Sequence, residues 1–109
     1  MGLPLLYVLP QTPDDWSAWS FNHAAIHYTV VDAIQTQKNK NLSQFLLDPI
    51  SDVGYWLYLH QDSHNQINAA LGTQGNNLLS YDWDDPDQVQ EWLNLNGSEH
   101  QNWNTILKV

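Results

Sequence analysis

The chain has 109 residues, 42% of them hydrophobic, with no cysteine and a formal net charge of −9, enough for one domain with a modest core. Twelve carboxylates face three lysines (Lys38, Lys40 and Lys108) and no arginine, which excludes a direct grip on a phosphate backbone and disfavours an anionic membrane surface. Without thiols there is neither a disulfide framework nor a thiolate metal site, and no window of about 18 apolar residues predicts a transmembrane helix.

Residues 1–11 are predicted as an extended N-terminal arm, because Pro4 and Pro10 oppose a helix. The stretch lacks a basic leader region and is not read as a signal peptide. Its apolar residues need cover. They lie either in a groove of their own domain or on a neighbouring subunit, and Leu5, Leu6 and Tyr7 are the candidate partner-binding residues.

Thr12-Pro13-Asp14-Asp15 marks a helix start, with Thr12 able to cap, Pro13 at the first helical position and the aspartates at the positive end of the dipole. A helix is predicted over 13–37, ended by the polar run QTQKNKN. The apolar connector LSQFLLDP follows. Ser51 or Asp52 is expected to cap a second helix over 52–71, with Gly72 just past its end. A second connector, TQGNNLLSYDWDD, leads to Asp85-Pro86-Asp87-Gln88, where Gln88 is placed to complete a capping box. The third helix is predicted over 86–107, through Gly97.

The three helices carry one phrase. Trp19, His23, His27, Val30 and Ile34 recur as Trp56, His60, His64, Ile67 and Leu71, then as Trp92, Asn96, His100, Trp103 and Leu107, at steps of 37 and 36 residues. The spacing puts each set on one helical face. The expected fold is therefore all-α, a three-helix bundle over 12–109. Connectors of about 14 residues span roughly 45 Å when extended, enough to return along the bundle and make all helices parallel. Up-down-up packing is equally allowed.

All five histidines of the chain lie in this pattern. A buried imidazole without a partner costs about 1–3 kcal/mol, so the rings must be met by something. One answer is a structural zinc or other divalent transition metal, with His23, His27, His60, His64 and His100 as candidate ligands and Asn96 in support. The other is a metal-free, hydrogen-bonded polar layer. A parallel bundle brings His27, His64 and His100 to one level and His23, His60 and Asn96 to the next. An antiparallel middle helix exchanges His23 with His64. No catalytic residue is expected. Glu99 adjoins His100 but points about 100° away, so no carboxylate is read beside the histidines, and no nucleophile elbow or phosphate loop is present.

The pattern resembles that of small tailed-bacteriophage proteins. It covers Phe21, His23 and His27 in the first helix, Leu47-Asp48-Pro49 before the second, Trp56 to Gly72 within it, and Trp92, Glu99 and His100 in the third. The resemblance implies a non-enzymatic virion structural protein, a neck, tail or baseplate adaptor or a capsid decoration. Its partners would be other virion proteins in a symmetric multi-copy assembly, located in the virion after assembly in the host cytoplasm. An acidic inhibitor of a host nucleic-acid-binding protein and a small His-ligated metalloprotein are the alternatives.

Overall fold

The computed structural model describes residues 6–42 and 53–109. Among the described residues it has three long helices, α1 Pro13–Lys38, α2 Val53–Leu71 and α3 Pro86–Leu107, and no strand. Leu5, the Leu47-Asp48-Pro49 element and the expected caps Ser51 and Asp52 lie outside the described residues.

The boundaries follow local chemistry. The Thr12 side chain accepts from Asp15 N while Asp15 reaches back to the Thr12 backbone, a complete capping box ahead of Pro13. Helix α1 stops where Asn39 enters the left-handed region at φ 55°. Helix α2 stops at Gly72, φ +70°, and Thr73 N donates to Asn68 O at 2.9 Å. At α3, Asp85 accepts from Asp87 N at 3.0 Å. The expected capping box at Gln88 does not close. Asp85 N is already used by Asp82 O, so the Gln88 oxygen accepts from Asp82 N at 2.8 Å instead.

The three helices run parallel. Trp19, Trp56 and Trp92 stand near the starts of their helices, and their rings meet pairwise at centroid distances of 6.0, 5.8 and 5.7 Å. They form one apolar cluster with Leu6, Leu78, Val89 and Leu93. Val30, Ala33, Ile34, Ile67, Trp103 and Leu107, from the later turns of all three helices, form a second. An antiparallel middle helix would mix these sets. The longest dimension, 38 Å, is that of a single helix of α1's length at about 1.5 Å per residue.

The second connector climbs the outside of the bundle from Gly72 and tucks Leu78 into the tryptophan cluster, where the Leu78 carbonyl accepts from Trp92 Nε1 at 2.9 Å. The N-terminal segment does the same. Leu6 is fully buried, and its carbonyl accepts from Trp19 Nε1 at 3.4 Å. The segment is thus the first connector of the repeat. Its backbone is helical at Leu6 and turned at Tyr7, not extended as expected there, and the turn drops Leu6 against Trp19. Leu6 is covered by its own domain. The Tyr7 ring lies on Gly97 of α3, and the Tyr7 carbonyl accepts from Gln90 at 2.8 Å.

Candidate metal centre

The His23/His27 pair on α1 and the His60/His64 pair on α2 are each four residues apart, one helical turn, and His100 of α3 completes the set. All five rings are at most 1% exposed. Because the helices are parallel, His27, His64 and His100 share a level, with ring centroids 5.1, 4.6 and 5.1 Å apart. His60 and Asn96 meet on the adjoining level, His60 Nε2 lying 2.8 Å from Asn96 Oδ1, and His23 sits 4.9 Å from His60. Trp19 stacks on His23 and Trp56 on His60 at 4.6 and 5.0 Å. Trp103 closes the other side against His64 and His100.

The nitrogen atoms converge. His23 Nε2 lies 3.1 Å from His27 Nε2 and 3.1 Å from His100 Nε2. One ligand atom from each of the five rings falls within 4.8 Å of all the others. Imidazole nitrogens at about 2.0–2.1 Å from a tetrahedral zinc stand about 3.3–3.4 Å apart, close to the two 3.1 Å separations at His23, while the set as a whole spans up to 4.8 Å and would draw in around an ion. These five histidines could hold a metal ion.

Burial, first, and the neighbouring rings hold His23, His27, His60 and His100 well below the usual imidazole range. The rings are therefore neutral near pH 7, the state a metal ligand requires. His64 is lowered chiefly by burial, with Glu99 pulling the other way. Glu99 itself is raised by its burial, but the donors around it win and leave it below the ordinary carboxylate value. With His64 neutral, the contact is a charge-assisted hydrogen bond from Nδ1–H to Glu99 Oε1 at 3.1 Å.

Glu99 corrects the expectation that no carboxylate stands beside the histidines. It is 6% exposed and accepts from His64 Nδ1, from Asn68 Nδ2 at 2.9 Å, and from Asn76 N and Nδ2 at 3.0 and 3.2 Å. Its angle from His100 is not decisive. Seven residues after Trp92 and four before Trp103, it lies about 20° and 40° from two buried tryptophans of its own helix. That spacing was the available signal.

The repeat also relates Glu99 to Ser63 and Ile26, at steps of 36 and 37. Ser63 of α2 meets His27 Nδ1 of α1 at 3.2 Å, just as Glu99 of α3 meets His64 Nδ1 of α2. The third equivalent position is held by apolar Ile26, and the buried His100 Nδ1 has no hydrogen-bond partner. His64 Nε2, on the far side of the ring from Glu99, has none either. An imidazole with Nδ1–H on a carboxylate and a bare inward Nε2 is the arrangement of a supported metal ligand. Comparison of the chain with protein-family models, with curated proteins and with solved structures gives no match.

Proposed function

We propose that this chain is a small non-enzymatic structural protein whose histidine core binds one divalent transition-metal ion as a strut between three parallel helices. The observation that carries the reading is the meeting of His23, His27 and His100 Nε2 at 3.1 Å beside the bare Nε2 of His64. Three imidazole nitrogens facing one another are three lone-pair donors converging on one point, and one cation can accept all of them together. An all-imidazole donor set suits zinc best, with nickel, copper and iron as competitors.

A structural role for the ion follows from its surroundings. The rings are sealed between the Trp19/Trp56/Trp92 layer and Trp103. A cavity of about 310 Å³, lined by Trp16, Trp19, Trp56 and Trp83, lies on the other side of that layer. A catalytic metal needs an open position that substrate can reach.

Use of the protein as a virion component, with other virion proteins as partners, is the biological setting the sequence pattern suggests. Phe21, Tyr55 and Tyr58, 61–81% exposed, supply apolar surface for such contacts. Among the described residues no helix is long and apolar enough to cross a membrane. Elemental analysis of tag-free protein tests the metal: about one equivalent of a single transition metal is expected, and a trace amount overturns it. Mass spectrometry of purified virions tests the setting. A stoichiometric band supports it, and absence favours a free acidic inhibitor.

A further inference from the structure

The cluster offers five imidazoles, and their outer partners treat them differently. Ser63 engages His27 at Nδ1 and Glu99 engages His64 at Nδ1. The Glu99 carboxylate can only accept, so it fixes the His64 proton on Nδ1 and turns the Nε2 lone pair toward the cluster, and the Ser63 hydroxyl allows the same tautomer at His27 by accepting from Nδ1. His23 and His100 already present Nε2 there, 3.1 Å apart. Asn96 is within reach of His23 and His64 as well, but its short 2.8 Å contact is with His60. The His60 Nε2 is held by that side chain, and the contact persists whichever way round the amide is assigned, because either its oxygen accepts or its nitrogen donates.

From this division we infer that the ion is held by four imidazoles, the Nε2 atoms of His23, His27, His64 and His100, and that Asn96 withdraws His60 from coordination. This rests on the metal reading above and adds its coordination number. Asn96 stands where the repeat would place a sixth histidine. With histidine there, six imidazoles in two levels of three would suit an octahedral ion. With asparagine, one ring is lost and a second is tied to the amide, leaving the set a tetrahedral ion prefers. Asn96 is in this sense a specificity-determining residue, selecting zinc over ions that require six ligands. Glu99, fixed by three donors besides His64, supplies one negative charge against the dication.

Cobalt(II) tests this, because four-coordinate cobalt absorbs intensely in the visible and five- or six-coordinate cobalt weakly. The full chain, tag-free and stripped by chelator, is titrated with cobalt chloride alone. Wild type is expected to take up one equivalent with intense four-coordinate bands. His60→Gln should keep those bands and bind within about threefold of wild type, whereas His64→Gln should bind at least about 100-fold more weakly. Asn96→Ala should release His60 and weaken the bands as a fifth ligand joins. Weak wild-type bands at full uptake overturn the four-ligand set while leaving the metal site standing, and equal losses in His60→Gln and His64→Gln do the same. No uptake by wild type overturns the metal site itself. Should His60→Gln lose its helical circular dichroism, the wild-type spectrum alone decides.

Discussion

His64 on α2 and Glu99 on α3 are joined by a buried hydrogen bond of 3.1 Å from Nδ1 to Oε1, and this one contact ties the histidine core to the outer connector. The other Glu99 oxygen receives both the backbone and the side-chain nitrogen of Asn76. Asn68, which donates to the same carboxylate, accepts in turn from Trp103 Nε1 at 2.8 Å. The close approach depends on Gly75, where a Cβ would meet Asn68 and lie 2.9 Å from Glu99 Oε1.

Glu99→Gln keeps the shape and removes one acceptor oxygen, so at least one of its four donors, two of them buried, loses its partner. A loss of about 1–3 kcal/mol in the metal-free protein is expected from urea melts. Affinity for zinc, measured by competition with a chromophoric chelator, should fall about 10–100-fold, as for other outer partners of metal-bound histidine. An unchanged affinity would separate Glu99 from the metal site.

Acid should unfold the metal-free protein early. The folded chain holds all five imidazoles below 6.5 by burial, while the unfolded chain protonates them near 6.5. Below that pH the unfolded state binds more protons, so stability is fully present above about pH 7 and falls as the pH drops through 6.5. Each depressed ring contributes about 1.4 kcal/mol per pH unit in that window. Glu99, with its depressed folded value, adds a loss of the same sign at lower pH. Urea midpoints across pH 5–8 give the proton count, and a flat profile would mean that the rings are not buried neutral.

Zinc should raise the melting temperature of wild type. Free metal at about 1,000 times its dissociation constant adds roughly 4 kcal/mol, and a chelator should return the melt to the metal-free value. Calorimetry with and without zinc, on wild type and on His64→Ala, reads the effect. A shift of equal size in both proteins would point to adventitious binding.

The tryptophan–histidine stripes and the all-α fold were legible because burial imposes a 3.6-residue period wherever a helix faces a core. Helix direction was not, since Trp19, His23 and His27 are buried equally well beside a parallel or an antiparallel α2. What decides it is the connectors, whose Leu6 and Leu78 each place a carbonyl on the indole of the helix that follows. Glu99 is not legible from His100, from which it points away, but from Trp92 and Trp103, whose face it shares. A charged residue at the rim of a stripe is buried only when donors await it, and Asn68 and Asn76 come from other parts of the chain.

Position 26 provides a test of the repeat rule. Ile26 stands where Ser63 and Glu99 stand in the other helices, and His100 Nδ1 is left without a hydrogen bond. Ile26→Glu would offer that nitrogen the acceptor His64 enjoys. Zinc affinity should rise, by about tenfold at most, while the metal-free protein gains little, because an added carboxylate at this half-buried position is costly without the cation. Chelator competition reads the first and urea melts the second. Weakened zinc binding would show that position 26 does not face His100.

Gly97 and Tyr7 should be coupled. A Cβ at position 97 would lie 2.6 Å from Cε1 and Cζ of Tyr7, inside any real contact distance. The Tyr7 backbone is pinned, its carbonyl held by Gln90 and the adjoining Leu6 buried against the tryptophans, so the ring can yield only by turning about its own side-chain torsions and giving up its place on α3. Gly97→Ala improves intrinsic helix propensity by about 1 kcal/mol, but the overpacking costs about 1–3 kcal/mol, so a net loss is expected in wild type. With Tyr7→Ala in the background the clash is gone and the propensity gain remains, so the same change should then stabilise by up to about 1 kcal/mol. The sign reversal in a double-mutant cycle of urea melts is the signature of the contact. A loss of equal size in both backgrounds would mean that Gly97 serves α3 itself and that the first connector packs elsewhere.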